Sequence, residues 1–346
     1  MTVSHTKSQS RAFGAIDQAL HRGFDLWVGF WFTPADPAPL CAIRLLIGGM
    51  VLYSHLIWGL ELQAFFGHDG WNSEEVIRAF QFRQSRPSFW WFVPDESMQT
   101  VHQWCIGILV LFWLGCLTRV TSVLALAIHV SYCQRAAIAT FGLDQICGIL
   151  LLYPAIAPCG AAYSVDSLLM RCWRSFRKQT PYLSNTKSVS AGLALRLMQF
   201  HYCVIYFFAA VGKLQGESWW DGSAMWRSFA NYEYQSIDMT WMARFPELLQ
   251  LITHIIVVWE LSFAYLIWNK PLRPLMLWVG VLMHLGIGAF LGMWTFGSAM
   301  IFGYVCFLQP ETVRTLVEFP ARLFRRKTGQ SGGEWSDVTK PDATNL

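Results

Sequence analysis

Apolar residues run in long blocks along most of this chain, and the breaks between the blocks carry nearly all of its charge. A helix needs roughly 20 apolar residues to cross a bilayer. Eight blocks meet or approach that length, at about 38–60, 101–117, 120–140, 144–159, 191–213, 248–268, 274–292 and 294–309. They predict an all-α, polytopic integral membrane helix bundle of about eight transmembrane helices. The fourth and eighth are short, which predicts tilting against their neighbours. Ahead of the first block the pattern changes. Phe13, Ile16, Leu20, Phe24, Trp27 and Trp31 recur at steps of three and four, with Arg11, Asp17, Gln18, Arg22 and Asp25 between them. That spacing predicts an amphipathic helix lying in the membrane interface. Pro34, Pro37 and Pro39 separate it from the first span. Residues 1–37 thus read as an N-terminal segment and 38–310 as the transmembrane domain. Residues 311–346 read as a tail that opens on the basic, helix-like "ARLFRRK" and ends in a Gly/Ser/Asp stretch.

Composition agrees with the pattern. Charged residues make up 14% of the chain, against about a quarter in soluble globular proteins. Residues 1–10 are polar, so the apolar run near Leu40 reads as a span and not as a secretory signal. The basic residues flank spans and form no stripe, which argues against nucleic acid as a partner. Nine cysteines are scattered without a CxxC pair, so neither a disulfide framework nor a metal site is expected. With a cytoplasmic N-terminus, seventeen Lys and Arg fall on the cytoplasmic side of alternate segments and seven on the other. This predicts a multi-pass cell-membrane protein with both termini cytoplasmic.

Two non-cytoplasmic segments, Glu61 to Thr100 and Leu214 to Glu247, are too rich in aromatics for free loops. Short amphipathic helices forming a lid over the bundle are expected there. Lys213, at the outer end of the fifth span, falls under that lid. Ionisable groups inside spans are expensive and so are functional candidates. Arg44 and Arg196 are explained by snorkelling on the inner side. Asp144 and His254 share the depth of Lys213, while Glu260 and His284 lie deeper and are placed to pair across spans six and seven. Lys213 has two readings. Beside tryptophans at a helix end it is an interfacial anchor; stripped of water beneath the aromatics it is a base at neutral pH.

The stretch "ALRLMQFHYCVIYFFAAVGKLQGESWWDGSAM" resembles the horizontally transferred transmembrane (HTTM) domain family, whose best-known member is vitamin K-dependent γ-carboxylase. "PAPLCAIRLLIGGMVLY" looks like the family's first span, and "GLDQICGILLLYPAIAPCGAAYSVDSLL" like its central span and following loop. The resemblance covers most of residues 38–310 and implies that Lys213 is the base that deprotonates a reduced, vitamin K-like quinone. In the carboxylase the hydroquinone anion then reacts with oxygen, and the strong base produced takes a proton from a glutamate γ-carbon, which captures carbon dioxide. Three departures stand out. Gly212 occupies the place of a second lysine, Asp144 falls near a supporting histidine of the carboxylase, and the large soluble domain that follows the carboxylase's membrane domain has no counterpart here. A chain of this form resembles the short bacterial members of the family, and the resemblance to such relatives implies a part in processing secreted peptides.

The expected site therefore has Lys213, Asp144 and His254 in catalysis, with Trp219, Trp220, Asp221, Glu260 and His284 around a reduced quinone. Membrane lipid and a peptide or protein substrate on the non-cytoplasmic side are the expected partners. The alternative is a non-catalytic membrane factor that binds a lipid or peptide in the same cavity for maturation or export.

Overall fold

The computed structural model describes residues 3–71, 73–80 and 87–327. The Phe13 and Ile16 side chains, residues 81–86 of the first lid segment and the Gly/Ser/Asp end of the tail lie outside what is described. Regular structure among the described residues is helical, apart from one isolated bridge between Ala35 and Ser188. The chain opens with α1 (Val3–Phe32) and enters the bundle through α2 (Ala38–Trp58). The short α3 (Leu62–Phe66) and α4 (Glu74–Phe80) lead to α5 (Met98–Leu114), α6 (Thr118–Arg135) and α7 (Gly142–Ile156). Next come the amphipathic α8 (Val165–Phe176) and the long α9 (Val189–Leu214). Two more short helices follow, α10 (Glu217–Trp220) and α11 (Ala224–Phe229). The chain finishes with α12 (Pro246–Leu266), α13 (Arg273–Leu291), α14 (Trp294–Gly303) and α15 (Pro310–Lys327).

A helix occupies each of the eight apolar blocks, but five segments are long and apolar enough to cross a membrane. These are Ala38–Phe66, Asp95–Leu114, Val189–Leu214, Pro246–Leu266 and Arg273–Leu291. The other three fall short for visible reasons. Gly142–Ile156 and Trp294–Phe307 are apolar but short. α6 is interrupted by Arg119, Thr121, Ser122, Ser131 and Gln134.

α2 is the central element, with Leu40, Ile43, Ile47 and Val51 fully buried against α5, α7 and α14. α9 packs along α12 over much of its length. It meets α14 where the Tyr202 ring fills the space that a side chain at Gly303 would need. The amphipathic α1 keeps Leu20, Phe24 and Trp27 exposed. Its end docks on the bundle, where the Phe30 ring lies 5.5 Å from the Trp268 ring and the Trp31 ring 6.3 Å from that of Phe200.

Arg44 corrects the snorkelling expectation. It is fully buried and donates to the carbonyls of Cys159 (3.2 Å), Phe112 (2.9 Å), Trp113 and Tyr163. Helix-end carbonyls have no partner within their own helix, and this guanidinium supplies donors at the ends of α5 and beyond α7. Arg196 is half-buried, over the Phe30 ring at 4.8 Å, and donates to Gln199.

Candidate functional site

Tyr202, Tyr206 and Lys213 are spaced four and seven residues apart on α9, so one helical face carries all three into the bundle. Opposite stands α12, with Glu260 fourteen residues after Pro246, about 21 Å from the helix start at 1.5 Å per residue. The Lys213 ammonium lies 2.8 Å from each oxygen of the Glu260 carboxylate and donates a hydrogen bond to Oε1. Glu260 is buried, and Lys213 is about a quarter exposed. Lys213 is thus level with the interior of α12, well below its start. α9 stops short, and α10, α11 and the 3₁₀ turn Thr240–Arg244 fold over the space above it. The expected pairing of Glu260 with His284 does not form, because the lysine reaches the carboxylate first. His284 instead meets the Tyr206 hydroxyl at 2.8 Å, and that hydroxyl makes a short bond to Tyr304.

A cavity of about 600 Å³ opens beside the pair. Its walls are apolar, with Met225, Ile256, Leu282, Met283 and Phe290 among them, and Trp219 and Trp259 adjoin the charged end. The Trp219 ring centroid is 5.3 Å from the ammonium, within cation–π range. Trp259 also lines the cavity, and its buried indole N–H has no hydrogen-bond partner among the described residues.

Three of the eight expected site residues, Lys213, Trp219 and Glu260, line this one cavity. His284 is behind it, in the tyrosine cluster. Trp220 is largely exposed, and its indole donates to the Leu214 carbonyl at 2.7 Å, closing the end of α9. Asp221 is exposed and accepts from the Ser223 backbone N–H at 2.7 Å. The hydroxyl and backbone N–H of Ser223 hold its carboxyl below the usual carboxylate range. His254 is on an exposed face of α12, 3.2 Å from the Trp220 carbonyl, and does not line the cavity.

Asp144 is in the other half of the bundle. Its carboxylate accepts from the Phe141 N–H at 2.8 Å, capping α7, and its carbonyl meets His129 Nε2 at 2.8 Å. It lines a separate cavity of about 480 Å³ with His129 and Cys133. Beside that cavity His55 is fully buried, 5.5 Å from His129 and 4.5 Å from Tyr132 between ring centroids. Asp144 and Lys213 thus occupy different sites. Tyr206, Tyr304 and Trp259 were not singled out from the sequence. The spacing of Tyr202, Tyr206 and Lys213 was the available signal for the first.

Comparison of the chain with protein families, with curated proteins and with solved structures finds no match.

Proposed function

We propose that this is an integral membrane enzyme in which Lys213 removes a proton from the hydroxyl of a lipid-soluble, quinol-like ligand. The observation that carries this reading is the Lys213–Glu260 pair at one end of an apolar cavity. A reduced quinone fits such a place: its rings and tail suit the apolar walls, and its hydroxyls suit the ammonium and the carboxylate. When bound, it supplies the reducing and base-generating chemistry that the resemblance to the HTTM family implies. The chain's own residues hold and move one proton. In the pair, that proton lies on a 2.8 Å bond. Keeping the Glu260 carboxylate charged while buried is costly, so transfer to Glu260 is within reach and leaves the Lys213 amine with a free lone pair. The amine then accepts the ligand's hydroxyl proton, and the ammonium formed faces the oxygen that lost it. Trp219 shields the step from water. A carboxylation of a peptide glutamate downstream, eight spans and cytoplasmic termini belong to the same proposal. They rest on the resemblance and on the Lys/Arg asymmetry.

Tryptophan quenching by a short-chain naphthoquinone in detergent tests the cavity. Saturable quenching is expected, weakened about tenfold or more, equivalent to 1.4 kcal/mol, by Ile256→Trp, which fills the space. Non-saturable quenching, unchanged by Ile256→Trp, defeats the reading. Capture of a peptide in its place, with no quinone bound, favours the non-catalytic factor.

A further inference from the structure

We propose that a second groove, at the end of the bundle where α6 begins and α7 ends, binds one anionic phospholipid. This groove encloses about 920 Å³. It is independent of the Lys213 site and shares no lining residue with it. One wall is α8, whose Leu169, Trp173 and Phe176 are 62%, 53% and 87% exposed although they are large and apolar. The opposite wall is the start of α6, with Leu117 and Val120 exposed. The apolar surface continues outward along α6 through Val123 and Leu124, so an acyl chain leaving the groove stays on hydrocarbon-like surface.

The rim is cationic. Arg119 lines the groove directly. Arg177 stacks at 4.4 Å over the ring of Trp173, and Arg174 lies 5.5 Å from the ring of Tyr182; both rings line the groove. The one carboxylate in the lining, Asp166, is already committed. It accepts from the backbone N–H groups of Leu117 and Thr118 at 2.8 Å each and from the Thr118 hydroxyl. It therefore caps α6 and leaves the three guanidiniums without a carboxylate partner among the described residues. Guanidinium forks match phosphate oxygens, and stacking on aromatics fixes two of them at the rim. Positive charge along the rim of an apolar groove fits an anionic headgroup with its chain. A zwitterionic lipid brings a choline that these cations repel.

The test uses Cys172, which lines the groove and is the exposed cysteine of the nine. Full-length protein in detergent is alkylated with a maleimide, and the modified peptide is followed by mass spectrometry, with Cys172→Ser as the control. Phosphatidylglycerol at about ten times its dissociation constant should slow Cys172 modification by about tenfold. Phosphatidylcholine and inorganic phosphate should leave the rate unchanged. Arg119→Gln/Arg174→Gln/Arg177→Gln should remove the protection while the melting temperature shows the protein folded. The headgroup selectivity of the unmodified protein stands even if that variant fails to fold. Equal protection by both lipids overturns the proposal, as does protection by phosphate alone. Protection that tracks protein concentration without lipid assigns the groove to a second copy and overturns it too.

Discussion

Arg44 and Lys213 are both cations set in apolar helices, and the protein holds them in opposite ways. Arg44 is surrounded by backbone carbonyls, four of which accept its hydrogen bonds. Four of its five donors are used, and it ties the end of α5 to the segment after α7. Lys213 has one carboxylate partner, an aromatic face and an open cavity beside it. An ammonium has three donors, so this one keeps capacity for a ligand. The difference shows what separates a structural intramembrane charge from a candidate functional one. Depth and burial alone do not decide; the fraction of the donor set that the protein itself fills does.

The sharpest way to break the comparison is to remove the structural cation. Arg44→Leu strands several buried carbonyls, at about 1–3 kcal/mol each, so loss of most of the folded protein is expected in a detergent melting experiment. Lys213→Gln should melt far closer to the parent, because Glu260 can take up a proton and stay neutral in its place. Equal losses at the two positions would erase the distinction.

A smaller effect is expected in the lid. Gly222 has φ +79°, and a Cβ there would meet the Gln250 side chain at 2.6 Å. Gly222→Ala should cost about 1–2 kcal/mol from the left-handed backbone. It should loosen α10 and α11, read as faster proteolysis after Trp220, while the α9–α12 contact persists. An unchanged cleavage rate would show that the lid is not held at this point.

The smallest effect concerns pH. The Asp221 carboxyl is lowered in the folded lid by Ser223, so its folded value is below its unfolded one. Its contribution is then fully present above the unfolded value of about 4 and is lost as pH falls through the folded value. Lid proteolysis should be flat from pH 7 to 5 and accelerate only in stronger acid, and Asp221→Asn should remove that acid-dependent step. Acceleration already near pH 6 would point to another group.

Much of the frame was legible in the pattern of apolar blocks. Each block contains a helix, and the aromatic segment after Lys213 folds into the short helices expected of a lid. The span count was less legible, because α6 mixes polar residues into its run and α7 and α14 are short. Depth could be counted from the sequence, but position around the bundle could not. Asp144 was assigned to the Lys213 site by depth, yet α7 packs against α6 and α2, away from the α12–α13 cavity. Lys213 was placed at the outer end of its helix, under a lid, with Glu260 counted as lying deeper. The helix end is where the structure has it, but α9 stops level with the interior of α12, which only the packing of the two reveals. The Lys213–Glu260 pair went unseen for the same reason. Arg44 was read from its nearness to a span end, whereas its partners come from residues 112 to 163, far along the chain.

The central claim is that Lys213, freed by proton transfer to Glu260, takes a proton from a hydroxyl held at the end of its cavity. The ultraviolet spectrum of a reduced naphthoquinone, bound anaerobically at saturation, tests this directly. The unmodified protein should give the spectrum of an ionised hydroxyl near neutral pH, and Lys213→Gln that of the unionised ligand. An unionised ligand in both proteins, or the same ionised fraction in both, would contradict it.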